Sequence, residues 1–179
     1  MRKKPQAYDL EIPDDDYKMA DVMRNEKADF ESQNIWLYIG AKQKDPRFAK
    51  VGMTMRDMTS RSSYSGDPRF YLFCAFQCKH DTTELQLRKI ERDVLSYLDE
   101  MYPNKRARHF ESQRLSECFH DIDFEEFFFL THQYLRDHYG KYFQKKCFGE
   151  EYALSWEFNS HLPRSEWMPF LRSILILGD

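Results

Sequence analysis

The chain has 179 residues, 41% of them hydrophobic and 16% aromatic, with only 6 Gly and 7 Pro. That composition excludes collagen-like, low-complexity and wholly disordered classes, and the length suffices to bury a real core. A net charge of -3 argues against coating nucleic acid by bulk electrostatics, although a local basic face stays compatible with it.

No apolar run reaches the roughly 18 residues a membrane span needs. The opening Met1-Arg2-Lys3-Lys4-Pro5-Gln6 leads into acidic sequence, so neither membrane insertion nor secretion is indicated and an intracellular location is expected. Cys74, Cys78, Cys118 and Cys147 lie among apolar or aromatic neighbours and are read as reduced, packed thiols.

Residues 1–33 read as an acidic arm: the first 34 residues hold nine acidic and six basic side chains, with a weak helical pattern through Tyr17, Ala20, Met23, Lys27 and Phe30. At Ile35 the period changes to two. Ile35, Leu37 and Ile39 alternate with Trp36 and Tyr38, which predicts a strand ending at Gly40. After a polar loop, Ala49, Val51 and Met53 alternate with Phe48, Lys50 and Gly52, completing a hairpin. Asp57 then offers an N-cap for a short helix through Arg61 and Tyr64, stopped by Gly66-Asp67-Pro68. From Lys42 to Arg69 the balance is seven basic to three acidic side chains, which makes this the electropositive part of the chain.

Residues 70–78 are apolar on both faces and predict a buried strand covered by helices. Asp81 and Glu84 suggest a capping pair for a helix carrying Leu87, Ile90, Val94, Leu95, Leu98 and Met101 up to Pro103. A basic connector, 104–114, contains Lys105, Arg106, Arg108 and His109. Beyond it, Leu115 through Leu135 reads as further helix, its run of phenylalanines packing into a core. Residues 140–179 carry enough apolar material for a helical C-terminal subdomain.

Glu91 breaks the amphipathic rule, because it lies four residues after Leu87 and three before Val94, on the apolar face. Burying a carboxylate there costs several kcal/mol unless positive charge or donors meet it. Two readings follow: a structural ion pair to an arginine, or a metal ligand or catalytic carboxylate. If the hairpin turns about Lys44, Tyr38 faces Lys50 directly. A phenol beside an ammonium is a candidate general base, though such pairs are also common on solvated sheet faces. Arg61 is a candidate phosphate ligand. Zinc at Cys74 and Cys78 fails on geometry, since four residues of strand span about 13 Å.

In order, Trp36-Leu37-Tyr38, Lys50-Val51-Gly52-Met53-Thr54, Arg61 and the helical Ile90-Glu91-Arg92 resemble the GIY-YIG nuclease superfamily, in the phage-type branch whose second motif begins with lysine. The resemblance covers about residues 34–115. It departs from the pattern at Trp36, which stands where the first motif has glycine. It implies an α+β fold with a small three-stranded antiparallel sheet flanked by helices. The expected units are an acidic arm (1–33), a nuclease domain (34–120) and a mainly helical extension (121–179). It also implies a metal-dependent endonuclease in which Tyr38, Lys50, Arg61 and Glu91 are catalytic and Glu91 holds one Mg2+ or Mn2+ ion. Gly52, Thr54, Arg56, Tyr64, Arg108 and His109 would meet nucleic acid, DNA first of all, and the extension would meet a protein partner or a second copy. The alternative expectation is a nuclease-derived module that binds without cutting, such as a phage-encoded inhibitor.

Overall fold

The computed structural model describes residues 19, 20, 23, 35–55, 67–79, 81–148 and 151–175. Met19, Ala20 and Met23 are helical; the rest of the acidic arm, and the short helix expected through Arg61 and Tyr64, lie outside the described residues. The elements are β1 (Trp36–Lys42), β2 (Asp45–Thr54), β3 (Phe70–Gln77), α1 (Glu84–Met101), β4 (Arg106–Arg108), β5 (Leu115–His120), α2 (Phe124–Tyr139), β6 (Lys145–Phe148), β7 (Glu151–Leu154), β8 (Trp156–Phe158) and α3 (Arg164–Leu175). No described helix is long and apolar enough to cross a membrane.

The α+β class holds, with an antiparallel sheet, but the sheet has six strands in the order β4-β5-β2-β1-β3-β8 where three were expected. The three central strands are those that alternation or continuous apolarity made legible, and the additions flank them. Leu115–His120, expected as helix, is a strand paired with β2, and Arg106–Arg108 in the basic connector pairs with it in turn. Besides two helices, residues 121–175 supply the β6–β7 hairpin and the edge strand β8.

The hairpin register also differs from expectation. Tyr38 pairs with Gly52, and Lys50 with Gly40. Near the turn Lys42 pairs with Asp45, so two steps along β1 are matched by five along β2. The excess is accommodated around Pro46, which has no N–H to give to a ladder. Because the slip is an even number of residues, Tyr38 and Lys50 keep a common face, as diagonal neighbours.

On one face of the sheet, Leu37, Ile39, Ala49, Val51, Phe76 and Phe119 meet Leu87, Ile90, Val94 and Leu98 of α1, Phe127, Phe128 and Leu135 of α2, and Ile174 of α3. A register shift between Ile39 and Gly40 against β3 brings Phe73 into this core beside Cys74, while Leu72 belongs to the opposite face. The Phe73 ring meets Phe124, Phe158 and Phe170 edge-on at centroid distances of 5.0, 5.5 and 4.6 Å. Edge-to-face contacts of this kind favour one arrangement of the core over many. The phenylalanines of α2 pack here as expected. Buried His132 accepts a hydrogen bond from the Leu154 N–H at 3.3 Å, tying β7 to α2; burial pushes its pKa down to about 3, so it stays neutral.

The N-cap of α1 lies two residues beyond Asp81, where the sequence suggested it. Thr83 is the N-cap, its hydroxyl accepting from the Gln86 N–H while the Gln86 side chain accepts from the Thr83 N–H, which satisfies two otherwise orphaned donors. Of the four thiols, all free, Cys74 and Cys78 are buried as expected and Cys118 is half-buried; Cys147 is exposed, contrary to the packed reading, because it lies on the β6–β7 hairpin outside the main sheet.

Candidate active site

The sheet face opposite the helices carries a second apolar cluster of Trp36, Tyr38, Phe48, Phe70, Leu72 and Ala75. Two glycines make this face possible. A Cβ at Gly52 would stand 2.5 Å from both Cζ and Oη of Tyr38, and one at Gly40 would stand 2.4 Å from the Phe70 ring. Both distances are far inside van der Waals contact, so the rings occupy the space that side chains would otherwise fill. The Tyr38 phenol lies across its strand partner Gly52, beside Lys50.

Lys50 is the electrostatic link. Its Nζ lies 3.2 Å from Glu117 Oε2 and 5.9 Å from the Phe70 ring centroid. Burial works to lower its pKa, but the charges of Tyr38 and Glu117 and the hydrogen bond to Glu117 together outweigh it, so the pKa is raised above the ordinary lysine value. Lys50 is a firm ammonium at neutral pH, placed where it stabilises negative charge on the Tyr38 oxygen.

Glu91 comes from the other layer. It rides on α1 among Leu87, Ile90, Val94, Leu95 and Leu98, all buried. Burial and the nearby Glu117 carboxylate raise its pKa to about 7, against the pull of Arg88, of the Met53 N–H that hydrogen-bonds it, and of Lys50. The structural-arginine reading finds no support among the described residues: Arg88 gives its Nε and Nη2 to Glu84 at 2.8 and 2.6 Å, and no cation lies within ion-pair distance of Glu91. Among the described residues, Glu91 thus has a second carboxylate, Glu117, near enough to raise its pKa and no cation at ion-pair distance.

Glu117 was not foreseen. It sits on β5, one residue before Cys118, which is where the registered β2–β5 ladder ends at Lys50. The signal that could have found it is the alternation Leu115, Glu117, Phe119 against Ser116, Cys118, His120, which marks a strand able to aim a carboxylate at β2. Glu117→Gln should lower the Glu91 pKa, because one of the two causes that raise it is removed and Lys50 is freed to approach. A carboxyl-carbon NMR titration would show this, and an unmoved Glu91 midpoint would contradict the coupling.

The remaining sequence candidates are distributed as follows. Lys50 links Tyr38, Gly52 and Glu91: it lies beside Tyr38 and Gly52 on the face opposite the helices and pairs with Glu117, while Glu91, on the helix side, feels the Glu117 and Lys50 charges and takes the Met53 N–H. Thr54 is 1% exposed, at the end of β2 opposite Trp36. Arg108 and His109 are exposed on the β4–β5 hairpin. Arg56, Arg61 and Tyr64 lie outside the described residues. No family model, no curated protein and no solved structure matches the chain.

Proposed function

We propose that the chain is a metal-dependent endonuclease that hydrolyses phosphodiester bonds in nucleic acid, DNA being the expected substrate. The observation that carries this reading is Glu91, a carboxylate kept on the apolar face of α1, its pKa raised to about 7 by burial and by the nearby Glu117 carboxylate. That donor set fits a hard divalent cation such as Mg2+ or Mn2+, which takes few protein carboxylates and completes its shell with water and phosphate oxygens. Glu91 and Glu117 would hold the ion. When bound, it supplies positive charge to offset the charge that develops on the departing oxygen.

The chain's own residues account for the rest of the reaction. The Tyr38 phenolate, favoured by the Lys50 ammonium, takes a proton from water as the water oxygen bonds to phosphorus and the phosphorus–oxygen bond to the leaving strand breaks, the leaving oxygen departing as an oxyanion. Arg61 is assigned to the phosphate through the resemblance alone. A binding-only role has one observation in its favour, since Tyr38 is 5% exposed and a general base must reach water.

Supercoiled plasmid separates the two. Nicking in Mg2+ or Mn2+ that ceases with excess chelator is expected for the nuclease. Nicking that persists in chelator would overturn the metal assignment, and binding without nicking in either ion would leave the binding module.

A further inference from the structure

Antiparallel pairing sends β5 from Cys118 toward Leu115 in the direction in which β2 runs from Lys50 to Thr54. The β4–β5 turn, 109–114, therefore projects from the end of the sheet that carries Gly52, the Met53 N–H and Glu117. At its tip stands Phe110, 92% exposed, the most exposed large hydrophobic side chain among the described residues and the only aromatic of that exposed group. Leaving a phenyl ring in water forfeits the stabilisation that burial would give it.

The tip is built to hold its shape. Gln113 Nε2 donates to the Phe110 carbonyl at 2.6 Å, Arg108 Nη1 to the Gln113 carbonyl at 2.8 Å, and the His109 N–H to the Arg114 carbonyl at 2.9 Å. Gln113 adopts a left-handed backbone, φ 55°, which is uncommon for a side-chain-bearing residue. At its root, Arg106 anchors the hairpin to α1 through Asp99 at 2.7 Å. Around the ring the sequence Arg108-His109-Phe110-Glu111-Ser112-Gln113-Arg114 offers two guanidiniums and an imidazole against one carboxylate. Cationic groups around a preorganised, solvent-facing ring suit a polyanion whose units present flat faces, and fit an acidic or neutral protein surface less well.

We infer that Phe110 stacks on an unpaired or unstacked nucleobase of the substrate, with Arg108 and Arg114 against the flanking phosphates. This rests on the nuclease reading for the identity of the polyanion. It gives the hairpin a role in choosing where on a nucleic acid the chain settles, namely at sites where a base is already free.

The test uses full-length protein in the Glu91→Gln background, so that binding is read without cutting, with wild-type cleavage followed in parallel. Probes are a DNA duplex with one unpaired base and the same duplex fully paired. Phe110→Ala should weaken binding to the first about 10-fold or more while changing the second by less than about 2-fold, the loss being that of one base–aromatic stack. Phe110→Trp should restore affinity and show indole quenching on the unpaired-base probe. Affinities for both probes left unchanged by Phe110→Ala, with cleavage intact, would overturn the stacking role and leave the nuclease reading standing. Phe110-dependent binding by a chain that never cuts would do the reverse. Loss on both probes alike would also overturn it, since the ring would then serve a general contact such as a protein-like hydrophobic patch.

Discussion

Glu91→Gln is expected to abolish divalent-dependent cleavage while making the protein more stable at pH 8. The sign follows from the raised pKa. In the folded state Glu91 titrates at about 7, against 4.5 as its ordinary value, so between these values the folded chain binds the proton more tightly than the unfolded chain does. The contribution to stability is full below pH 4.5 and is lost as pH rises through 7. Glutamine has no proton to lose. Discounting for partial exposure, the variant should gain about 2 kcal/mol relative to wild type between pH 5 and pH 8. Urea denaturation at the two pH values reads this directly. Mg2+ should raise the wild-type melting temperature and leave that of Glu91→Gln unmoved, because an ion that binds only the folded state stabilises it by mass action. Cleavage should fall by at least about 10²-fold. A variant that is less stable at pH 8 would mean that Glu91 is met by a cation after all.

Gly52→Ala should be nearly as damaging, for a purely steric reason. The added methyl would stand 2.5 Å from Tyr38 Cζ and Oη. Tyr38 cannot swing aside freely, since it is packed in the cluster with Trp36, Phe48, Phe70, Leu72 and Ala75. Overpacking of this kind costs about 1–3 kcal/mol, and the phenol must leave its place beside Lys50, so activity falls with stability. A double-mutant cycle with Tyr38→Ala isolates the contact. Removing the ring should relieve the glycine site, making the combined loss smaller than the sum of the single losses by about 0.5–3 kcal/mol. Simple additivity would show that the methyl is absorbed elsewhere.

How much of this was legible beforehand depends on how local each signal is. Strands β1 and β2 show period-two alternation, and α1 shows a long 3.6-residue period, both properties of contiguous residues. Glu91 announced itself because a carboxylate on an apolar helix face is a local violation. Gly52 stands out in the sequence as a residue expected to meet nucleic acid; in the structure its missing Cβ makes room for the Tyr38 ring. The hairpin register was misjudged because the excess residues around Pro46 leave no mark in the hydrophobic pattern. Leu115–His120 was read as helix because it runs into the phenylalanine-rich start of α2 and carries a glutamate on the face it shares with Leu115 and Phe119. What makes it a strand is pairing with β2, some seventy residues earlier, which lies outside any window. Glu117 was missed for the same reason, and β8, three residues long, is too short to show a period at all.

The most direct test of the central claim, that Glu91, Glu117, Lys50 and Tyr38 form a centre for cutting phosphodiesters, is the initial rate of supercoiled-plasmid nicking in Mg2+ by wild type and Glu91→Gln, compared at DNA concentrations where both are fully bound. Nicking by wild type and at least about 10²-fold less by the variant is the predicted result. Equal rates, or no nicking by either in Mg2+ or Mn2+, would contradict it.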